Sequence, residues 1–167
     1  MNWSDLILLP LIVVLLIIQL TVLPLIPLLS VVPQLPLVLV LAWALVQDRL
    51  ESTAVWAFVA GVFMDLYSIA PLGSTALVLV VVVTVLTYLK RGLPGEGLLA
   101  PALLGGIGTF LAILLNYTVL QLTGFDVSFN VATASAPLIL IHGILVVPAY
   151  AGLLWWRRRH MPGAVEF

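Results

Sequence analysis

Six apolar runs separated by short polar breaks set most of what this chain can fold into: Leu6–Leu29, Val32–Val46, Ser52–Ser68, Leu72–Leu89, Leu98–Leu122 and Val131–Trp156. Crossing ~30 Å of hydrocarbon takes about 20 apolar residues in a helix, and in lipid a backbone must satisfy its own hydrogen bonds. The runs therefore predict membrane-spanning helices. Charge supports this: 8% of residues are charged, against roughly 25% in a soluble domain, and the mean hydropathy is +1.29. The expected fold is an all-α integral membrane protein with six transmembrane helices in a single polytopic domain over residues 1–167.

The first run is expected to be a retained helix. Asp5 is the only charge before it, it is too long for a signal-peptide core, and no A-x-A-like cleavage site follows. Pro24, Pro27, Pro33 and Pro36 crowd the corner between the first two runs and predict irregular backbone there. The second and third runs are short, and a five-span reading that fuses or demotes the second is the competing topology. Orientation follows from the basic residues. Arg49, Lys90, Arg91, Arg157, Arg158 and Arg159 all fall in Gln47–Glu51, Lys90–Gly97 and the tail from Arg157, and the breaks near Ser30–Pro36, Ile69–Pro71 and Thr123–Asn130 hold none. By the positive-inside rule both termini are cytoplasmic, with Trp155 and Trp156 as an interfacial anchor. The Arg157–Arg159 cluster reads as a topology determinant beside anionic headgroups. Asp126, with Phe125 and Phe129, reads as part of an ordinary outer loop.

Asp65 is the only carboxylate inside an apolar run. Ala54, Ala57, Gly61 and Asp65 share one helix stripe, a seam of small residues that admits a neighbouring helix and ends in an acid. A carboxylate facing lipid costs at least a few kcal/mol, so the stripe should face protein or a wet cavity; hydration of Asp65 at the outer interface is the plainer reading. Rise arithmetic places Gln19, Asp65 and Asn116 roughly 20, 20 and 27 Å into their spans. One polar cluster could hold all three, with Gln19 or Asn116 bonding the Asp65 carboxyl. Gly105, Thr109, Ala112 and Asn116 form a matching face, so spans three and five are expected to pack through these seams. His142, mid-span in the sixth run, reads first as a neutral histidine bonded to a neighbouring helix, ahead of a proton relay or ligand contact.

Chemistry is sparse. With no cysteine there is no disulfide or thiolate chemistry. No metal-ligand spacing occurs, so neither metal nor cofactor is expected. Gly105-Gly106-Ile107-Gly108 lacks the lysine and strand context of a phosphate loop and reads as helix packing. No serine has a recognisable base and orienter, and no basic patch with interleaved aromatics suggests nucleic acid. A scaffold, a small-molecule-binding or transporter subunit with Gln19, Asp65 and Asn116 lining an outward cavity, and a membrane-embedded hydrolase or transferase are the three readings. The last has least support, since Asp65 and His142 are the only titratable groups in the spans besides tyrosines. If Asp65 is purely a hydrogen-bonding site, Asp65→Asn should be tolerated and Asp65→Leu should not.

From Pro33 to Arg91 the chain resembles the MreD family of rod shape-determining membrane proteins. The resemblance rests on Pro36 opening a short leucine-rich run, the charged turn Gln47–Glu51, the segment Ala60-Gly61-Val62-Phe63-Met64-Asp65-Leu66 (similar to a G-x-x-x-D motif), and Pro71-Leu72-Gly73 leading into an aliphatic run closed by Lys90-Arg91. Gly61, Asp65 and Gly73 carry over as motif positions, and no catalytic residue does. The resemblance implies a non-enzymatic subunit of the peptidoglycan elongation machinery in the bacterial inner membrane, with MreC, MreB, RodA and a class B penicillin-binding transpeptidase as partners. It also implies a bundle like the S components of energy-coupling-factor vitamin transporters, an analogy of fold alone.

Overall fold

A computed structural model describes residues 8–25, 32–68, 70–92, 97, 99–124 and 131–160. These residues form six α-helices and no strand: α1 (Leu8–Thr21), α2 (Leu35–Val46), α3 (Leu50–Asp65), α4 (Ser74–Leu89), α5 (Leu99–Leu122) and α6 (Val131–His160). Short 3-10 turns follow α1 at Leu23–Leu25 and α4 at Lys90–Gly92. Phe125, Asp126 and Phe129, expected in an outer loop, lie outside the described residues.

The bundle is built around α2, which packs against α1, α3, α4, α5 and α6. It is buried from Pro36 to Ala44 and again at Val46. A helix that is apolar on every side, as this one is, suits a site surrounded by protein. The second run therefore forms the central helix of the bundle. Pro36 sits in its first turn, where a missing N–H costs least. At 12 residues it is about 18 Å long. By length and composition, Ser74–Gly92, Leu99–Leu122 and Ser135–Arg159 can each cross a membrane, and α1 and α2 are shorter apolar helices.

Two close helix pairs flank this centre. In the first, α3 lies on α4, and a Cβ placed on Gly61 would come within 2.3 Å of the Ala76 Cα. In the second, α5 lies on α6; a Cβ on Gly105 would meet Val146 at 2.9 Å, and one on Gly143 would meet the Ala102 carbonyl at 3.1 Å. Gly108 points elsewhere, with Leu41 of α2 at 2.7 Å and Leu86 of α4 at 2.8 Å from its would-be Cβ. The expected packing of span three on span five is thus corrected, since each small-residue seam faces its neighbour in sequence and α4 contacts both α3 and α5. Short connections favour antiparallel neighbours, and spacing marks a close approach without saying which helix makes it.

Because backbone blocks the space at Gly61, Gly61→Ala is expected to push α3 from α4 and lower stability by about 1–3 kcal/mol. Gly152→Ala, where an added Cβ meets nothing beyond its own helix backbone within 4 Å, should not lower it. Thermal unfolding of both variants in one detergent checks the pair.

Candidate functional site

Asp65 is the last residue of α3 and is 3% exposed. Its Oδ2 accepts the Gly73 N–H at 2.8 Å, and its Oδ1 accepts the Thr75 N–H at 3.1 Å and the Ser74 hydroxyl at 3.5 Å. The carboxylate thus caps the start of α4, where unpaired N–H groups and the positive end of the helix dipole favour a negative charge. Gly73 precedes α4 with φ of 93°, a conformation that glycine adopts without the strain a Cβ brings. The three motif positions form one joint: Gly61 brings two backbones together, Asp65 ties their far ends, and Gly73 allows the turn between them.

Two expectations are corrected here. Asp65 is buried, with no hydrated carboxylate at an interface. Its hydrogen bonds also stay within its own hairpin, and neither Gln19 nor Asn116 joins them. Helical rise gave these side chains similar depths but not their direction around the bundle. The backbone donors of α4, a few residues away in sequence, reach the carboxylate first.

Gln19 instead accepts the Leu35 N–H at 2.8 Å, at the first residue of α2. Beside it, the Gln34 N–H donates to His142 Nε2 at 2.9 Å. An Nε2 that accepts makes Nδ1 the protonated nitrogen of a neutral ring. Nδ1 then donates to Thr109 Oγ1 at 3.2 Å, and that hydroxyl donates to the Gly105 carbonyl at 2.8 Å. His142 is fully buried and works as a strut between α2, α5 and α6, in keeping with its reading as a neutral, bonded histidine.

The other end of α2 is held by cations. Lys90 Nζ donates to the Ala44 carbonyl at 3.1 Å, to the Leu45 carbonyl at 3.5 Å and to the Gln47 carbonyl. Arg157 donates to the Val46 carbonyl. The Gln47 N–H bonds the Trp43 carbonyl, so each of the last four carbonyls of α2 has a donor, where a helix end ordinarily leaves them unmet. Asp48 lies 3.3 Å from Lys90 and 3.7 Å from Arg157, with its side chain 77% exposed. Sequence reading assigned these two cations to topology and missed their work as caps. The available signal was a short apolar run lying between polar residues of matching depth on longer ones.

At the end of the bundle away from the basic residues, a cavity of about 410 Å³ opens beside the start of α2. Leu37, Val78, Leu79, Ala112 and Ile113 supply apolar wall, and Gln34, Thr75, Asn116 and Tyr117 supply the polar groups. Asn116 therefore faces this cavity, while Gln19 and Asp65 are not in its lining. Among the described residues no three His, Asp or Glu side chains gather as a metal site would need. Asp65 and His142 are engaged with different partners.

These features define a helical membrane protein whose motif residues tie helix ends together. Compared with known families, residues 2–155 match rod shape-determining protein MreD. The chain belongs to this family. No curated protein and no solved structure matches it.

The two carboxylate oxygens of Asp65 serve different backbone donors, which revises the tolerance expected of Asp65→Asn. The amide keeps one acceptor and turns an NH₂ towards a backbone N–H, so Asp65→Asn should cost about 1–3 kcal/mol and Asp65→Leu more. Chemical unfolding in detergent ranks the two, and a silent Asp65→Asn would contradict the geometry. At the basic end, Lys90→Met leaves several carbonyls without a donor and should cost about 1–3 kcal/mol. Asp48→Asn removes only an exposed ion pair, worth about 0–1 kcal/mol. Equal losses in thermal unfolding would mean that the ion pair, and not the capping, holds this end.

Proposed function

We propose that this chain is a non-enzymatic, multi-pass scaffold of the bacterial elongation (rod) complex in the cytoplasmic membrane. In this reading it binds MreC, and through MreC works with RodA and a class B penicillin-binding transpeptidase on cell shape and lateral peptidoglycan synthesis, with MreB as a further contact. All six helices span in an S-component-like arrangement, and the basic end and both termini face the cytoplasm. Membership of the MreD family carries the proposal. The placement of the polar groups supports it: buried Asp65 and His142 and half-buried Gln19, Lys90 and Arg157 are each bonded to the ends of other helices, an arrangement suited to rigidity more than to turnover. The clustering of Arg49, Lys90, Arg91 and Arg157–Arg159 at the α2, α4 and α6 ends supports the orientation.

The cavity favours a second reading, a small-molecule-binding subunit like those of vitamin transporters. The scaffold reading is preferred because it uses the Gly61–Asp65–Gly73 joint, which is not in the cavity lining.

Co-expression with MreC tests the proposal. A stoichiometric complex should survive affinity purification in mild detergent, and Asp65→Leu, by loosening the α3–α4 hairpin, should reduce recovery several-fold. Clean separation of the two wild-type proteins under these conditions would overturn the scaffold reading.

A further inference from the structure

The cavity beside α2 has no part in the scaffold reading, and its lining specifies a kind of guest. It lies where α2 begins, at Val32, Gln34 and Leu37, between Thr75–Leu79 of α4, Ala112–Leu120 of α5 and Leu138 of α6. Its volume of about 410 Å³ falls within the range of sites that hold small ligands, and it is open on one side.

Its polar groups are uncharged, and apart from the Tyr117 hydroxyl, which accepts from Gln121 Nε2 at 3.2 Å, their side chains are uncommitted. Among the described residues, no hydrogen bond engages the carboxamide of Asn116, the carboxamide of Gln34 or the hydroxyl of Thr75. Each carboxamide offers both donors and an acceptor, and in an apolar surround an unmet polar group costs free energy. A guest that both donates and accepts would meet them. Among the described residues, no Lys, Arg, His, Asp or Glu lines the cavity. The nearby candidates for a counter-charge are already engaged: the Asp65 carboxylate caps α4, and both ring nitrogens of His142 are bonded. The Gln34 and Leu35 N–H groups, which could have faced an anion at the start of α2, go to His142 and Gln19. A charged head would enter this low-dielectric site unpaired, at high cost. Outside, α5 presents Leu103, Ile107, Phe110 and Leu114, an apolar surface that matches hydrocarbon.

We infer that the cavity binds an uncharged membrane amphiphile, a neutral glycerolipid of the monoacylglycerol class, with its hydroxyl-bearing head between Gln34, Thr75 and Asn116. Leu37, Leu79 and Ala112 wall the first part of its chain, and the rest leaves through the open side into lipid. The site needs no partner protein and stands whether or not the scaffold reading holds.

The test uses the full chain alone in phosphatidylcholine nanodiscs, with a diazirine-bearing monoacylglycerol as photoprobe and mass spectrometry to locate the label. Saturable labelling at the lining residues Val78, Leu79, Ile113 and Leu120 is expected, with displacement by unlabelled monoolein and at least tenfold weaker displacement by oleate at pH 8. Leu77 and Ile144, both exposed, should label without saturation and report bulk lipid. Asn116→Leu should weaken saturable labelling about tenfold, the effect of losing one to two hydrogen bonds, while leaving the unfolding midpoint unchanged, because Asn116 bonds no described residue. Ala112→Phe, which fills the cavity, should abolish it; should that variant fail to fold, Asn116→Leu decides. Non-saturable labelling equal to that at Leu77 and Ile144, or labelling insensitive to Asn116→Leu, would overturn the site. Equal displacement by oleate would overturn the uncharged head.

Discussion

A helix of about 18 Å is shorter than the roughly 30 Å of hydrocarbon that a spanning segment ordinarily covers. Its first N–H groups and last C=O groups must then find partners in protein, because lipid offers none. The central helix α2 is in this position, and much of the polar chemistry of the bundle answers it. Gln19 and His142 meet the donors at its start, and Lys90 and Arg157 meet the acceptors at its finish. These four side chains come from three separate parts of the chain. Satisfying one short helix thereby links α1, α4 and α6, and through Thr109 also α5. The cations also suit the negative end of the α2 dipole. A positive charge at this end can thus serve topology and capping together.

The α3–α4 hairpin applies the same principle at the opposite end of the bundle. Between apolar helices in lipid there is little hydrophobic drive to associate, and contact depends on close packing and on polar groups that find each other. Gly61 gives the packing and Asp65 gives the polar tie. The pair has a directional logic: the acid sits one turn beyond the closest approach, where the neighbouring helix starts and its N–H groups are unmet. This makes the motif an intramolecular device first. Any partner would meet a surface that the hairpin has already made rigid.

Asp65, His142, Gly61 and the Gly105–Gly108 run were all singled out by type and spacing, and each proved to mark a buried contact. Helix content was legible as well, because apolar runs this long leave the backbone few alternatives in lipid. Where sequence reading failed, it failed on partners. Gln19, Asp65 and Asn116 share a depth but point to α2, to α4 and into the cavity. The seams on α3 and α5 were matched to each other, whereas each was complementary to the helix next in sequence.

Sequence alone determined that the chain is helical, that it belongs in a membrane, which end carries the positive charge, and which few residues must be kept from lipid. These follow from one-dimensional quantities: run length, charge position and helical period. Only the tertiary structure decided that the shortest clear run lies at the centre, that lysine and arginine cap it, and that an open space remains over its beginning. Those outcomes depend on the azimuth of each side chain around its helix axis and on which helices are neighbours, and both are fixed only when all six helices compete for the same contacts.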